Sequence, residues 1–212
     1  MKRYRTLLFT GLIIAASATC SKKPEAFRPL NYFPLEMKNT WHFSGGIQTM
    51  QVTEVIKSGH ERRITLTFFD SLDAPLWSET YRTAKDQLRW LAFEPATALL
   101  PRVGFNPPLY GAPFSNEVGD MTTINTIETQ FDSVETTTAI TVDYQIAAIE
   151  DVVTPAGVFA GCLKVKIDFI YPPVAVRPLF IGDHYWWYAP NVGPIKYDLP
   201  TTHGDLLRYE LH

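Results

Sequence analysis

The chain has 212 residues, with 19 Lys and Arg against 22 Asp and Glu and only two cysteines. A net charge of −3 with no basic cluster argues against nucleic acid or anionic headgroups as main partners. Two cysteines rule out a disulfide-stapled scaffold, and a chain this long buries roughly 70% of its unfolded surface without one.

Residues 1–19 read as a secretion signal. Lys2, Arg3 and Arg5 form a positive start, Leu7 to Ala16 is apolar but too short to span a bilayer, and Ser17-Ala18-Thr19 leads to Cys20. This layout resembles the lipobox of bacterial lipoproteins, in which the cysteine becomes the acylated first residue. Ser17 and Thr19 stand where Leu and Gly or Ala are usual. The alternative is a plain secretory leader cleaved nearby. The resemblance implies a membrane anchor through acylated Cys20. Ser21 after it favours the outer over the inner membrane, with the domain facing the periplasm or the outside. Losing residues 1–19 removes three of the 19 basic side chains and takes the net charge from −3 to −6. Cys162 then has no partner for an intrachain disulfide. Residues 20–30 are read as the lipidated cysteine and a flexible tether, and 31–212 as a single β domain.

From Asn31 onward, alternation and abundant Thr, Val, Ile and aromatics predict strands. The first are 40–44, 47–56, 62–69, 77–83 and 87–93, with turn signals at Ser44-Gly45-Gly46, Lys57-Ser58-Gly59 and Ser71-Leu72-Asp73. Pro95 to Leu100 is the best candidate for a short helix. Residues 101–114, PRVGFNPPLYGAPF, are proline-rich and apolar. Proline excludes them from a central strand, so they are expected as a long loop carrying Phe105, Leu109, Tyr110 and Phe114. Strands resume at 122–131 and 138–146, and Thr154-Pro155-Ala156-Gly157 has the Pro and Gly positions of a type I turn. In LKVKIDF, 163–169, Leu163, Val165, Ile167 and Phe169 face one way and Lys164, Lys166 and Asp168 the other, one face buried and one wet.

Residues 171–182, YPPVAVRPLFIG, form a second proline-rich loop, with Leu179 and Phe180. Both loops are expected to fold back over the core. Strands 184–189, 195–199 and 206–211 complete the chain. Period two sends Tyr185 and Trp187 to one face and Trp186 and Tyr188 to the other, with a turn at 190–193. One pair can line an internal site, and the preceding apolar loop is the natural cover for the other. The whole predicts an all-β fold: a curved antiparallel sheet, barrel or half-barrel or sandwich, with at most one or two short helices.

No G-x-S-x-G elbow, C-x-x-C pair or glycine-rich phosphate loop occurs. His60-Glu61-Arg62-Arg63-Ile64 starts like a zinc-protease helix but has Ile at the second ligand position, and the five histidines lack ligand spacing. Neither metal nor cofactor is expected. Asp183 and His184 are neighbours, but adjacent strand residues face opposite ways and cannot act as orienter and base. Cys162 is expected to be a passive thiol. Five Trp, ten Tyr and thirteen Phe remain, which either fill a β core or line a cavity.

Three stretches, YFPLEMKNTWHF (32–43), TPAGVFAGCLKVK (154–166) and YWWYAPNVGPIKY (185–197), together resemble a group of poorly characterised bacterial lipoproteins. That group opens with Tyr-Phe-Pro-Leu, two residues, Gly-Asn, one residue and Trp. Pro-Ala-Gly, a hydrophobic-Phe pair and Cys-Leu-Lys-Val come later, then a closing Tyr-Ala-Pro-Gly-Val-Gly run. Lys38 and Asn191 stand where Gly is usual, and Pro194 where an aliphatic is usual. Asn tolerates the left-handed conformation that Gly would supply; Lys fits it less well.

The resemblance implies an envelope lipoprotein and carries no enzymatic activity with it. The expected function is therefore non-catalytic: a membrane-anchored module binding a hydrophobic ligand or an envelope partner. Its candidate contacts are Phe105, Leu109, Tyr110, Phe114, Leu179, Phe180, Tyr185, Trp186, Trp187 and Tyr188. One rival is a structural subunit of an envelope complex with a filled core. The other is a hydrolase whose residues converge from distant strands. A binder needs a continuous cavity lined by Trp186 or Trp187. A complex subunit needs a filled interior and an apolar patch at 101–114 or 171–182. An enzyme needs a His or acid in a cleft beside a second polar group.

Overall fold

An alternating strand hides its apolar face against a second layer or by curling its own sheet, and this chain curls. The computed structural model describes residues 27–212 except 85, 86, 112, 133, 174 and 176–178; Cys20, the leader and the tether through residue 26 lie outside the described residues. Six strands form the first half: β1 (Thr40–Phe43), β2 (Thr49–Ser58), β3 (Glu61–Phe69), β4 (Pro75–Ala84), β5 (Gln87–Pro95) and β6 (Arg102–Tyr110). Six more follow: β7 (Met121–Phe131), β8 (Thr136–Thr154), β9 (Gly157–Ile170), β10 (Asp183–Ala189), β11 (Gly193–Leu199) and β12 (Thr202–Glu210). Each pairs antiparallel with its sequence neighbour, and β1 also pairs with β12. The sheet is thus a closed up-and-down barrel that leaves no free edge.

Among the described residues the helical content is a single 3₁₀ turn, Pro29–Asn31. The helix expected at Pro95–Leu100 does not form: β5 ends at Pro95 and the chain then turns. Leu99 is exposed, so a helix here would bury no apolar face to offset its nucleation.

Residues 101–114 also depart from expectation, because β6 is a wall strand and not a loop. Val103, Phe105 and Leu109 point inward and are buried. Pro107 and Pro108 sit where the ladder breaks. β6 pairs with β5 at Val103–Gly104 and again at Leu109–Tyr110, so residues 105–108 bulge past Leu91 alone. Pairing with β7 stops at Asn106. A bulge asks no amide of the two prolines, which is how proline enters a central strand. Residues 171–182 lie in the β9–β10 connection, as expected.

The β8–β9 hairpin runs further than its alternation suggests, since two register shifts interrupt the pattern. Its outer part reaches across the short β10–β11 hairpin to β12. There the Ala156 amide donates to the Leu206 carbonyl at 3.1 Å and the Phe159 ring lies 6.2 Å from Tyr209. Cys162 is buried beneath this arm, and burial pushes its thiol up to about 11.

Lys38 and Asn191 have φ of 72° and 60°. Both hold the left-handed conformation that glycine adopts without strain. At Lys38 the conformation is held by pairing with β2: its amide donates to the Val52 carbonyl at 3.0 Å, and Val52 returns a bond to Asn39 at 2.9 Å.

The segment before β1 closes one end of the barrel, here called the base. Phe33 meets Trp41, Tyr81 and Tyr188 at 5.6–5.9 Å, so it touches β1, β4 and β10 together. Arg62 fastens the segment by donating to the Leu35 carbonyl and pairing with Glu36, both at 2.7 Å. At Gly193 the chain passes so close to Trp41 that a Cβ would stand 2.9 Å from its Nε1. That nitrogen donates to the Val192 carbonyl at 2.6 Å.

Candidate functional site

The opposite end, the mouth, carries the turns after β1, β3, β5, β7, β9 and β11. Below it lies a cavity of about 350 Å³ whose lining is mostly aromatic. Inward-facing positions on three groups of strands make this lining, and the register shift at Leu91 lets both Trp90 and Phe93 contribute to it. Phe68, Trp77 and Tyr81 come from β3 and β4, Trp90 and Phe93 from β5, and Phe169, His184, Trp186 and Tyr188 from β9 and β10. The rings pack on one another: Phe68 stacks on Trp77 at 4.6 Å and Trp90 lies 4.9 Å from Phe105.

The β9–β10 loop stops the mouth with one ring. Phe180 stacks on Phe169 at 4.8 Å and stands 5.5 Å from Trp90 and 5.6 Å from Phe93. Its backbone is held through Tyr171, whose hydroxyl accepts from the Phe180 amide and donates to buried Glu128 at 2.6 Å. Burial holds the Tyr171 hydroxyl above its ordinary pKa, so it stays a donor.

Besides its tyrosines and Thr201, the cavity lining carries a histidine and a carboxylate. His184 packs against Phe169, and its Nε2 is buried without a partner. Burial lowers its pKa, so the ring is neutral at pH 7. Glu79, between Trp77 and Tyr81 on β4, accepts from Trp77 Nε1 at 3.2 Å and from the Tyr81 hydroxyl. It keeps accessible surface because it borders the cavity, yet the barrel wall surrounds it, and burial pushes its pKa up to about 7. No cluster of His, Cys, Asp or Glu suited to a metal occurs among the described residues.

The aromatic quartet divides as period two predicts. Trp186 and Tyr188 line the cavity, and Tyr185 and Trp187 face outward. The cover on the outward pair is not the 171–182 loop, which turns inward with Phe180. Lys164 lies 4.9 Å from the Tyr185 ring and 4.8 Å from Trp187, Lys196 lies 5.2 Å from Trp187, and Trp187 Nε1 donates to Glu150 at 2.6 Å. These cation–π contacts and the long aliphatic stems of the lysines cover the rings.

Of the other candidate contacts, Tyr110, Leu179 and Phe180 border the cavity. Phe105 stands behind Trp90, Leu109 is core, and Phe114 packs on Tyr110 at 5.6 Å and Tyr144 at 6.3 Å. Asp183 points away from His184 and pairs with Lys166 at 2.9 Å. Glu79 escaped sequence reasoning, although WSETY (77–81) carries the signal: a carboxylate on the face of a strand otherwise given to Trp and Tyr.

Fold and site together define a closed twelve-stranded antiparallel barrel with an aromatic internal chamber. A protein assigned as a lipoprotein from Parabacteroides distasonis ATCC 8503 is similar, with a TM-score of 0.50 and 15% identity over 84% of this chain and 98% of that one. A protein assigned as exported, with a YmcC-like fold, from Bacteroides fragilis NCTC 9343 is similar at a TM-score of 0.45 and 18% identity, over 83% and 97%. At 15% identity the likeness to the first is one of fold. No protein-family model matches the sequence, and no curated protein matches it.

Proposed function

We propose that this chain is a lipid-anchored envelope protein that binds a small hydrophobic ligand inside its barrel, without catalysis. The observation that carries the reading is the chamber, a continuous cavity bordered by Trp186 where a structural subunit would be filled. Its about 350 Å³ is a little over twice the ~150 Å³ that accommodates benzene, which sets the ligand at about 14 non-hydrogen atoms. A diacyl phospholipid is far larger than that. The leader, Cys20 and the polar residues after it support anchoring, with the outer membrane favoured by Ser21. Phe27 packs on Tyr32 at the closed base, so an anchor upstream of it would leave the mouth, at the other end, facing the periplasm or the outside.

Native mass spectrometry of the protein purified from its own membrane tests this. A bound mass of one small amphiphile, absent after Trp186→Ala, is the expected result; the bare lipoprotein mass alone would count against the reading. The hydrolase alternative has one observation behind it, the Glu79–Tyr81 pair in the cavity. Turnover of p-nitrophenyl esters that disappears in E79Q would favour it.

A further inference from the structure

Glu79 is costly where it stands. Its cross-strand neighbours are Leu66 on β3 and Phe93 on β5. Among the described residues no Lys or Arg lines the cavity, and the cations nearest in sequence and register, Arg82 and Arg89, line an outer groove. Among the described residues the carboxylate therefore has no counter-charge. The donors described for it number two, whereas two carboxylate oxygens offer about four acceptor positions. Holding Trp77 and Tyr81 would need only a neutral amide. The rings of Phe68, Trp77, Trp90, Phe93 and Trp186 line the same cavity, with Trp77 turning its N–H edge to the carboxylate.

We propose that the chamber takes a small organic cation, a protonated amine joined to an apolar body of indole or phenyl size. The ammonium sits on Glu79 and the body lies against the rings of Trp90, Phe93 and Trp186. This assignment rests on the reading of the cavity as a ligand site and adds the ligand's charge. Carboxylate and aromatic faces act together: the first supplies hydrogen-bond acceptors for the N–H groups, the second holds the cation where water is excluded. A chamber of about 350 Å³ leaves room for such a molecule.

A consequence is proton release on binding. The other titratable side chains lining the chamber are Tyr81, Tyr110, Tyr188 and His184. Burial holds Tyr81 and Tyr188 protonated and His184 neutral near pH 7, while it brings Glu79 to about 7. Arrival of a cation favours the ionised carboxylate, so Glu79 gives up its proton as the amine docks.

Calorimetric titration of the full-length protein in lipid nanodiscs with tryptamine, its neutral isostere tryptophol, and indole tests the assignment. At pH 8, tryptamine is expected to bind at least tenfold more tightly than tryptophol. E79Q should abolish that preference, while its cooperative urea transition shows that the barrel is still folded. In the unsubstituted protein, tryptamine affinity should fall about tenfold from pH 8 to pH 6, as protonation near pH 7 removes the carboxylate, with tryptophol unchanged. Equal binding of tryptamine and tryptophol, with indole bound, overturns the cation assignment and leaves the cavity reading intact. Binding of none of the three overturns both.

Discussion

Replacing Glu79 by glutamine should stabilise the barrel, and by more as pH rises. Burial raises the Glu79 pKa from its ordinary 4.5 to about 7. An acid raised in this way holds its proton more tightly in the fold than in the unfolded chain. Stability is therefore undiminished below about 4.5, falls as pH rises toward 7, and stays low above it. At about 1.36 kcal/mol per pH unit across that interval, the penalty reaches ~3 kcal/mol at pH 8. Hydration of the carboxyl from the cavity side lowers it toward ~2 kcal/mol. Glutamine keeps both hydrogen bonds: its carbonyl accepts from Trp77 Nε1, and its amide donates to the Tyr81 hydroxyl oxygen. For a domain of this size the gain corresponds to about 4–12 °C in Tm. Urea titrations of both proteins between pH 4.5 and 8.5 should give midpoints that coincide at the acid end and separate steadily up to neutrality. A constant difference at every pH would refute burial of the charge as its cause.

Phe180→Ala removes the ring that stops the mouth. Because Phe180 is only half-buried, the loss should be about 2–3 kcal/mol by urea denaturation, below the ~3–5 kcal/mol of a core phenylalanine. His184 should then hydrate and titrate closer to an ordinary histidine, which its NMR titration would follow. Lys38→Gly should raise stability by about 0.5–1 kcal/mol, since glycine adopts a φ of 72° without the Cβ clash and the exposed lysine loses no packing. An unchanged or lower urea midpoint would count against that reasoning. Cys162 should resist Ellman's reagent in the native protein and react fully in urea, because its thiol is buried and protonated. Rapid native labelling would contradict the position of the β8–β9 arm.

Much of the architecture was legible because period two survives in a single strand. The 163–169 segment, the two faces of the aromatic quartet and the turns with Gly or Asn at left-handed positions all follow from local rules. Where local rules misled, a non-local partner had intervened. Proline at 107 and 108 forbids an unbroken ladder, but a strand can carry both in a bulge, and only the register of β5 and β7 shows that one exists. The outer strand face is covered by Lys164 and Lys196 because β9 and β11 flank β10, an adjacency no single segment expresses.

The same division holds for the site. The sequence by itself determined the β class, which side chains share a face, and the large supply of aromatics. Tertiary structure decided whether those aromatics fill the barrel or leave a chamber, since that depends on closure across twelve strands and on which loop ring enters the mouth. It also decided the meaning of Glu79. Alternation places that carboxylate on an aromatic face, but only closure of the wall around it reduces its hydration and keeps the described Lys and Arg side chains out of the cavity, and so makes an ordinary acid a candidate for holding a cation.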